Sequence, residues 1–275
     1  MSSNSSIEWT EATWNPTTGC DQISPGCDNC YALTLAKRLK AMGSEKYQQD
    51  GDPRTSGPGF GVTVHPGALE EPLRWRKPRV VFVNSMSDLA HARIPDDFVA
   101  KVFGVMAACP QHTFQVLTKR PKRFAKLLGD TGFVAAAQSH AKAVLGGAAD
   151  QGTDIWPLPN VWVGTSIESD EYCWRADQLR KTTAAVRFLS CEPLLGPLPS
   201  LNLDGIDWAI VGGESGPGHR PLDLGWVRDI RDHCLDQQVR LFFKQVGGLT
   251  PKAGGRLLDG RTWDEYPIAR QPVEV

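Results

Sequence analysis

No stretch of this 275-residue chain approaches the roughly 20 consecutive apolar residues that a bilayer-spanning helix needs, so a helical membrane protein is not expected. Neither sign of charge dominates. Thirty Lys and Arg face 31 Asp and Glu, a formal net charge of −1, so global charge neither demands nor excludes nucleic acid. No internal repeat is present, which removes solenoids and propellers. An even cysteine set is missing too: there are seven, in a chain far larger than a disulfide-stapled mini-domain. The start, Met-Ser-Ser-Asn-Ser-Ser, has no apolar core segment of the kind a secretory leader needs. A cytoplasmic protein without a disulfide framework is the expectation. With 41% hydrophobic residues the chain can bury one barrel-sized core.

What is present is concentrated in one place. Cys20, Cys27 and Cys30 fall within eleven residues, with six and then two residues between them. Three close thiols point to a metal. A structural zinc site normally closes with four ligands, whereas a triad on one loop leaves a position open. An iron–sulfur cubane held by three cysteines has such an open corner. Two Gly-Cys pairs and Pro25 let the backbone fold back and turn its amides toward a negatively charged cluster. Zinc completed by a distant ligand, His65, His219 or one of the other cysteines, remains the alternative.

Elsewhere, short β-branched runs alternate with amphipathic stretches. Of the runs at 12–15, 79–84, 112–117, 160–165, 186–191, 207–212 and 239–244, several are nearly continuous in apolar residues, as in strands covered on both faces. Helices are predicted over 31–42, 95–108, 121–128, 133–145, 169–181 and 223–237, with Ser169 and Asp223 as N-caps. This βαβα order implies a parallel α/β fold, open or closed into a partial or complete TIM-like barrel. Residues 1–247 make its body, with surface insertions near 43–61 and 129–159; 248–275 form a C-terminal extension, with Trp263 and Tyr266 to dock it. Between Cys191 and Asp207 proline is too frequent for a helix, so that crossover is expected to be irregular.

Ligands of such folds sit at the carboxyl ends of the strands. Those ends carry Asn84, Ser85 and Asp88; Lys119 and Arg120; Ser166 and Glu168; Cys191 and Glu192; Glu214; and Lys244. The cysteine loop follows the first strand and opens onto the same face.

Seven segments carry a family resemblance: Trp14-Asn-Pro-Thr-Thr-Gly-Cys20, Cys27-Asp-Asn-Cys-Tyr31, Phe82-Val-Asn-Ser-Met-Ser-Asp88, Leu117-Thr-Lys-Arg-Pro121, Val163-Gly-Thr-Ser166, Cys191-Glu-Pro-Leu-Leu195 and Val211-Gly-Gly-Glu-Ser215. Together, over about residues 7–247, they resemble the phage and mobile-element three-cysteine family, and through it the radical S-adenosylmethionine superfamily. Two departures stand out. The first cysteine gap is longer than usual, with the aromatic Tyr31 after the last cysteine, and Gly212-Gly213-Glu214 comes late in the chain rather than early.

The resemblance implies a radical S-adenosylmethionine barrel with a [4Fe–4S] cluster on Cys20, Cys27 and Cys30, reduced by an electron donor such as flavodoxin or ferredoxin. Ser85, Asp88, Ser166, Glu168, Gly212, Gly213 and Glu214 are the candidates for the S-adenosylmethionine cradle. Cys191, with Glu192 beside it, is the candidate to give a hydrogen atom to a substrate radical; its alternative is a small buried hydrophobe. Two basic islands, Arg74, Arg76 and Lys77, then Lys119, Arg120, Lys122 and Arg123, suggest DNA or RNA as substrate, for lesion repair or base modification. Trp9, Trp14 and Trp75 are expected near that face, ready to stack on a base. Rival readings are a non-catalytic nucleic-acid or partner-binding protein with a structural cluster or zinc, and a radical maturase acting on a peptide encoded nearby.

Overall fold

Strands this apolar leave no face for water, and the chain stacks them into one parallel sheet. The computed structural model describes residue 5 and residues 7–146 and 153–267. Its strands are β1 (Ala12–Trp14), β2 (Thr17–Thr18), β3 (Thr63–Val64), β4 (Val80–Val83), β5 (Thr113–Thr118), β6 (Val161–Ser166), β7 (Val186–Cys191), β8 (Trp208–Gly212) and β9 (Arg240–Gln245). Seven form a curled half-barrel in the order β1-β4-β5-β6-β7-β8-β9, with every neighbouring pair parallel. β2 and β3 make a separate antiparallel pair.

The helices are α1 (Tyr31–Ala41), α2 (Asp96–Ala107), α3 (Pro121–Leu128), α4 (Thr131–Val144), α5 (Trp174–Arg180) and α6 (Leu224–Asp236). The expected helix over 169–181 is split: a 3-10 turn at Asp170–Tyr172 precedes α5, and Ser169 makes no side-chain cap bond. Asp223 does cap α6, accepting from the Gly225 amide at 2.7 Å. The β7–β8 crossover contains no helix, as its prolines require. It is anchored by Leu194, Leu198, Leu201, Leu203 and Ile206, all buried.

Alternation along the strands divides the core in two. Val81, Val83, Phe114, Val116, Val163, Leu189, Val211 and Phe243 point to the helix-covered face. Phe82, Trp162, Phe188, Trp208, Ile210 and Phe242 point inward, where they meet Trp9 and no helix. Aromatic edges fill this inner floor: Trp9 to Phe82 at 4.8 Å, Trp162 to Trp208 at 5.9 Å and Trp208 to Phe242 at 6.1 Å. Edge-to-face pairs of this kind add about 0.5–1.5 kcal/mol each beyond area burial. The tail completes the floor, with Tyr266 5.2 Å from Trp208 and the Glu265 carbonyl accepting from the Trp208 indole. It also pairs with β9 through Phe243 N–H to Trp263 O and Glu265 N–H to Leu241 O, covering an edge that would otherwise be bare.

Both stretches read as surface insertions carry structure. Residues 129–159 contain α4, capped by Asp130 and buried through Phe133, Ala137 and Ala141; residues 147–152 lie outside the described residues, as do 268–275 of the C-terminal extension. Residues 43–61 supply Tyr47 and Phe60, which pack with Ala32, Ala36 and Met86 beneath the cysteine loop. Among the described residues, no helix is long and apolar enough to cross a membrane.

Gly164 on β6 is where the floor is tightest, since a Cβ there would lie 2.5 Å from the Phe188 ring, itself fully buried. Gly164→Ala should therefore cost about 1–3 kcal/mol in denaturant unfolding, the range for overpacking a core. Gly196→Ala, with nothing within 4 Å, should be close to neutral in the same assay.

Candidate iron–sulfur loop and the carboxyl face

The loop between β2 and α1 is built by turns and then clamped from four sides. Gly19 takes φ +83, and a Cβ there would strike the Gly61 carbonyl at 2.1 Å, so only glycine lets the chain enter the loop here. A 3-10 turn, Pro25–Cys27, sets Cys27, and Cys30 is the N-cap of α1. The Gln22 side-chain amide donates to the Cys27 carbonyl at 2.8 Å, closing the loop on itself.

Its three thiols are partly accessible, while Cys109, Cys173, Cys191 and Cys234 are buried. Burial pushes the Cys20 thiol up to about 12, with the Asp88 carboxylate adding to the rise and Arg120 opposing it. Burial also raises Cys30, against the pull of the Ala32 and Leu33 amides at the start of α1. Cys27 lies close enough to raise both of the others. Cys20 and Cys30, whose burial resists ionisation, need a strongly cationic centre to become thiolates. Among the described residues no three His, Cys, Asp or Glu side chains are gathered tightly enough for a single metal ion. His65 is bonded to the Thr18 hydroxyl through Nε2 and His219 to the Gly216 carbonyl through Nδ1. In donor chemistry, three thiols on one loop fit an iron–sulfur cluster with an open corner.

Four carboxylates hold this loop down. Asp21 accepts from Thr55, Ser56, His91 and Arg93 at 2.7–2.9 Å, tying the loop to the 43–61 insertion and to the segment after β4. Desolvation works against its charge, but these donors win and hold its carboxyl well below the usual range. Asp88 accepts from the Ala90 and Lys119 amides, the Thr118 hydroxyl and Arg120. Glu168, fully buried, pairs with Arg175 at 2.9 Å and Lys119 at 3.3 Å, directly beneath Gly26. Glu214 is forked to Arg220 and accepts from Asn29, between Cys27 and Cys30, while Arg220 also reaches Asp28 and the Pro25 carbonyl.

Several expectations change in this light. Asp88, Glu168 and Glu214 face the loop, yet their partners are this chain's own cations. Ser85 exchanges hydrogen bonds with Asn15, and its carbonyl accepts from the Tyr31 hydroxyl at the rim. Ser166 is buried at the end of β6, where its carbonyl accepts from Arg175. Gly212 and Gly213 are spacers: a Cβ on Gly212 would lie 2.6 Å from Glu192 Oε1, and one on Gly213 1.9 Å from the Val246 carbonyl. Cys191 does not face the mouth. Strand parity puts it with Leu189 on the helix side, fully buried, and burial pushes its thiol well above the ordinary range. Glu192, one residue on, lies over Gly212 and 3.4 Å from Lys244 Nζ.

The basic islands separate. Arg74, Arg76 and Lys77 are exposed but precede β4, at the opposite end of the sheet from the cysteines; Trp75 packs there on His112. Lys119 and Arg120 are engaged as above, and Arg123 binds the His91 and Ile94 carbonyls and Asp96. Lys122 alone of these seven points out on the cysteine side, 5.1 Å over the exposed ring of Trp174. Trp9 belongs to the floor and Trp14 to the helix-side core, its indole bonded to the Ala68 carbonyl, so neither offers a ring to a ligand.

Residues not singled out in the sequence complete the site, together with Asn84, which was. Asn29, Asp21 and Asn15 lie in or beside the cysteine motif, a position that would have flagged them. Arg220 and Arg175 carried no signal, being cations without a motif. Asn84, at the end of β4, holds φ +64, and its buried amide nitrogen and oxygen make no hydrogen bond. Such orphans are uncommon in folded proteins.

No curated protein matches this chain. Among solved structures, a spore photoproduct lyase variant with bound AdoMet and dinucleoside spore photoproduct is similar at a TM-score of 0.41 and 11% identity, over 84% of this chain and 63% of that one. This chain thus spans less than two thirds of that protein's length. The model of the DUF5131 family, described as "Protein of unknown function", matches residues 4–267, and the chain belongs to that family.

Proposed function

We propose that this protein is an iron–sulfur enzyme of the radical S-adenosylmethionine type, with a [4Fe–4S] cluster on Cys20, Cys27 and Cys30. The observation that carries the reading is the placement of three partly accessible thiols on one loop that is tied to the carboxyl ends of the strands of a parallel half-barrel. The cluster and its cofactor supply electron transfer and carbon–sulfur cleavage. This chain's residues supply the rest. Asp21, Asp88 and Glu214, through their cations, fix the loop; the aromatic floor excludes water from below; Asn84, Glu192 and Lys244 are among the polar groups at the mouth. A low-potential one-electron donor such as flavodoxin or ferredoxin is the partner this chemistry calls for.

Nucleic acid is the substrate class we assign, on narrower ground than its basic islands suggested. Trp174 is 40% exposed beside the loop, with Lys122 over its ring and Arg175 stacked on neighbouring Tyr172 at 4.1 Å. An aromatic rim with one free cation suits an unstacked base better than a duplex backbone.

Two outcomes test this. Anaerobic reconstitution should give a broad absorbance near roughly 400 nm that is lost in Cys20→Ala, Cys27→Ala or Cys30→Ala; stoichiometric zinc with no iron uptake would refute the cluster. The reduced holoprotein should then release 5′-deoxyadenosine from S-adenosylmethionine by chromatography, and a loaded cluster that neither binds nor cleaves it would leave a structural or electron-transfer protein.

For the substrate, fluorescence anisotropy with single-stranded oligonucleotides should show Trp174→Ala weakening binding by about 1–3 kcal/mol, the worth of one stacked base. Lys122→Gln should lower the salt slope by roughly one counterion. Undetectable binding to DNA and RNA of either strandedness would turn the assignment to a peptide substrate.

A further inference from the structure

Arg120 was grouped by sequence with the phosphate-binding cations, but its surroundings give it another task. Its side chain is 18% exposed, and its guanidinium touches three acceptors at once: Cys20 Sγ at 3.3 Å and Asp88 Oδ2 at 2.8 Å through Nη1, and the Asp21 carbonyl at 3.0 Å through Nη2. Asp88 is itself immobilised by two backbone amides and the Thr118 hydroxyl, and the Arg120 amide bonds the same hydroxyl at 2.8 Å. The fork is thus set before any ligand arrives. No phosphate is needed to complete its surroundings.

Resting on the cluster reading above, we propose that Arg120 is a positioning residue that sets the cluster's reduction potential by holding a cationic N–H against the sulfur of Cys20. Hydrogen bonds to cluster sulfurs and nearby charge are among the factors that set iron–sulfur potentials. One electron, taken from an external low-potential donor, converts [4Fe–4S]²⁺ to [4Fe–4S]⁺ and forms or breaks no bond. The reduced cluster carries more negative charge on its sulfurs, so the Arg120 contact stabilises it more than the oxidised form. The potential is raised, which eases reduction by that low-potential donor.

The test is a dye-mediated redox titration of the reconstituted full chain followed by electron paramagnetic resonance. In Arg120→Gln the reduction equilibrium should fall about tenfold, a negative shift of about 59 mV for one electron. Arg120→Lys keeps the charge but cannot span all three acceptors, so a smaller shift in the same direction is expected. Arg93 grips the same loop through Asp21 Oδ2 at 2.7 Å without reaching a sulfur, and Arg93→Gln should leave the potential where it was. A fully loaded Arg120→Gln protein with an unmoved potential overturns the proposal. If that variant takes up no iron, Arg120→Lys decides: an unmoved potential, or iron lost there too, makes Arg120 a clamp for the loop and nothing more. An equal shift in Arg93→Gln overturns it as well, because loosening the loop would then suffice. Failure of the wild-type protein to take up iron and sulfide refutes the cluster reading itself, before any variant is compared.

Discussion

Backbone alone does not fasten the cysteine loop over the strand ends; buried and half-buried ion pairs do. Asp21, Asp88, Glu168 and Glu214 each bring a cation to the underside or flank of residues 20–30. Charge-assisted bonds contribute about 1.5–3 kcal/mol each when satisfied. Removing one partner of a buried pair costs more, about 3–5 kcal/mol, because the other charge is left without compensation. That asymmetry makes the clamp specific. Each carboxylate is met by a cation: Asp21 by Arg93, Asp88 by Arg120 and Glu168 by Lys119 from far along the chain, and Glu168 by Arg175 and Glu214 by Arg220 from the following turns.

The sheet's curl explains why the clamp has to be polar. Its outer face is closed by helices and its inner floor by tryptophan and phenylalanine edges, so apolar burial is complete below the strand ends. Above them no hydrophobic layer remains to fasten a loop, apart from the small cluster of Tyr47, Phe60 and Met86 under α1. Charge therefore takes over where apolar packing stops. The same boundary leaves Asn84 with an unpaired amide at the end of β4, between the dry floor and the mouth.

How much of this was legible in the sequence depends on the range of the interaction. Strands announced themselves because burial on both faces forces a continuous apolar run, and their observed ends lie within one residue of those runs. The cysteine triad was legible because all its ligands are local. Side-chain direction was not. The run 186–191 is apolar on both faces, so nothing in it told that Cys191 points to the helices, whereas pairing with β6 and β8 decides it. Basic clusters misled for a related reason: a run of cations looks the same whether its partners are phosphates or carboxylates folded in from afar. Arg123 meets carbonyls after β4, and Lys119 meets Glu168 after β6, partners that no local window contains.

The late Gly-Gly-Glu segment shows how a motif-like string can arise from separate physical needs. Gly212 ends β8 on the inner face, and its missing Cβ leaves the space through which the Glu192 carboxylate reaches toward Lys244. Gly213 accepts the close approach of the Val246 carbonyl as β9 turns away, and its amide bonds the Gln245 carbonyl. Glu214 then leaves the sheet and meets Arg220 and Asn29, fastening the segment to the loop between Cys27 and Cys30. Only the third of these faces the cysteines, and its oxygens are already shared among cations and amides of the chain. A carboxylate so engaged is poorly placed to take a ligand's amine. Its position instead links the end of β8 mechanically to the triad, across 184 residues of sequence from Cys30 to Glu214. Asn84 just past β4, Glu192 just past β7 and Lys244 on β9 bring polar groups to the mouth from both sides of the half-barrel.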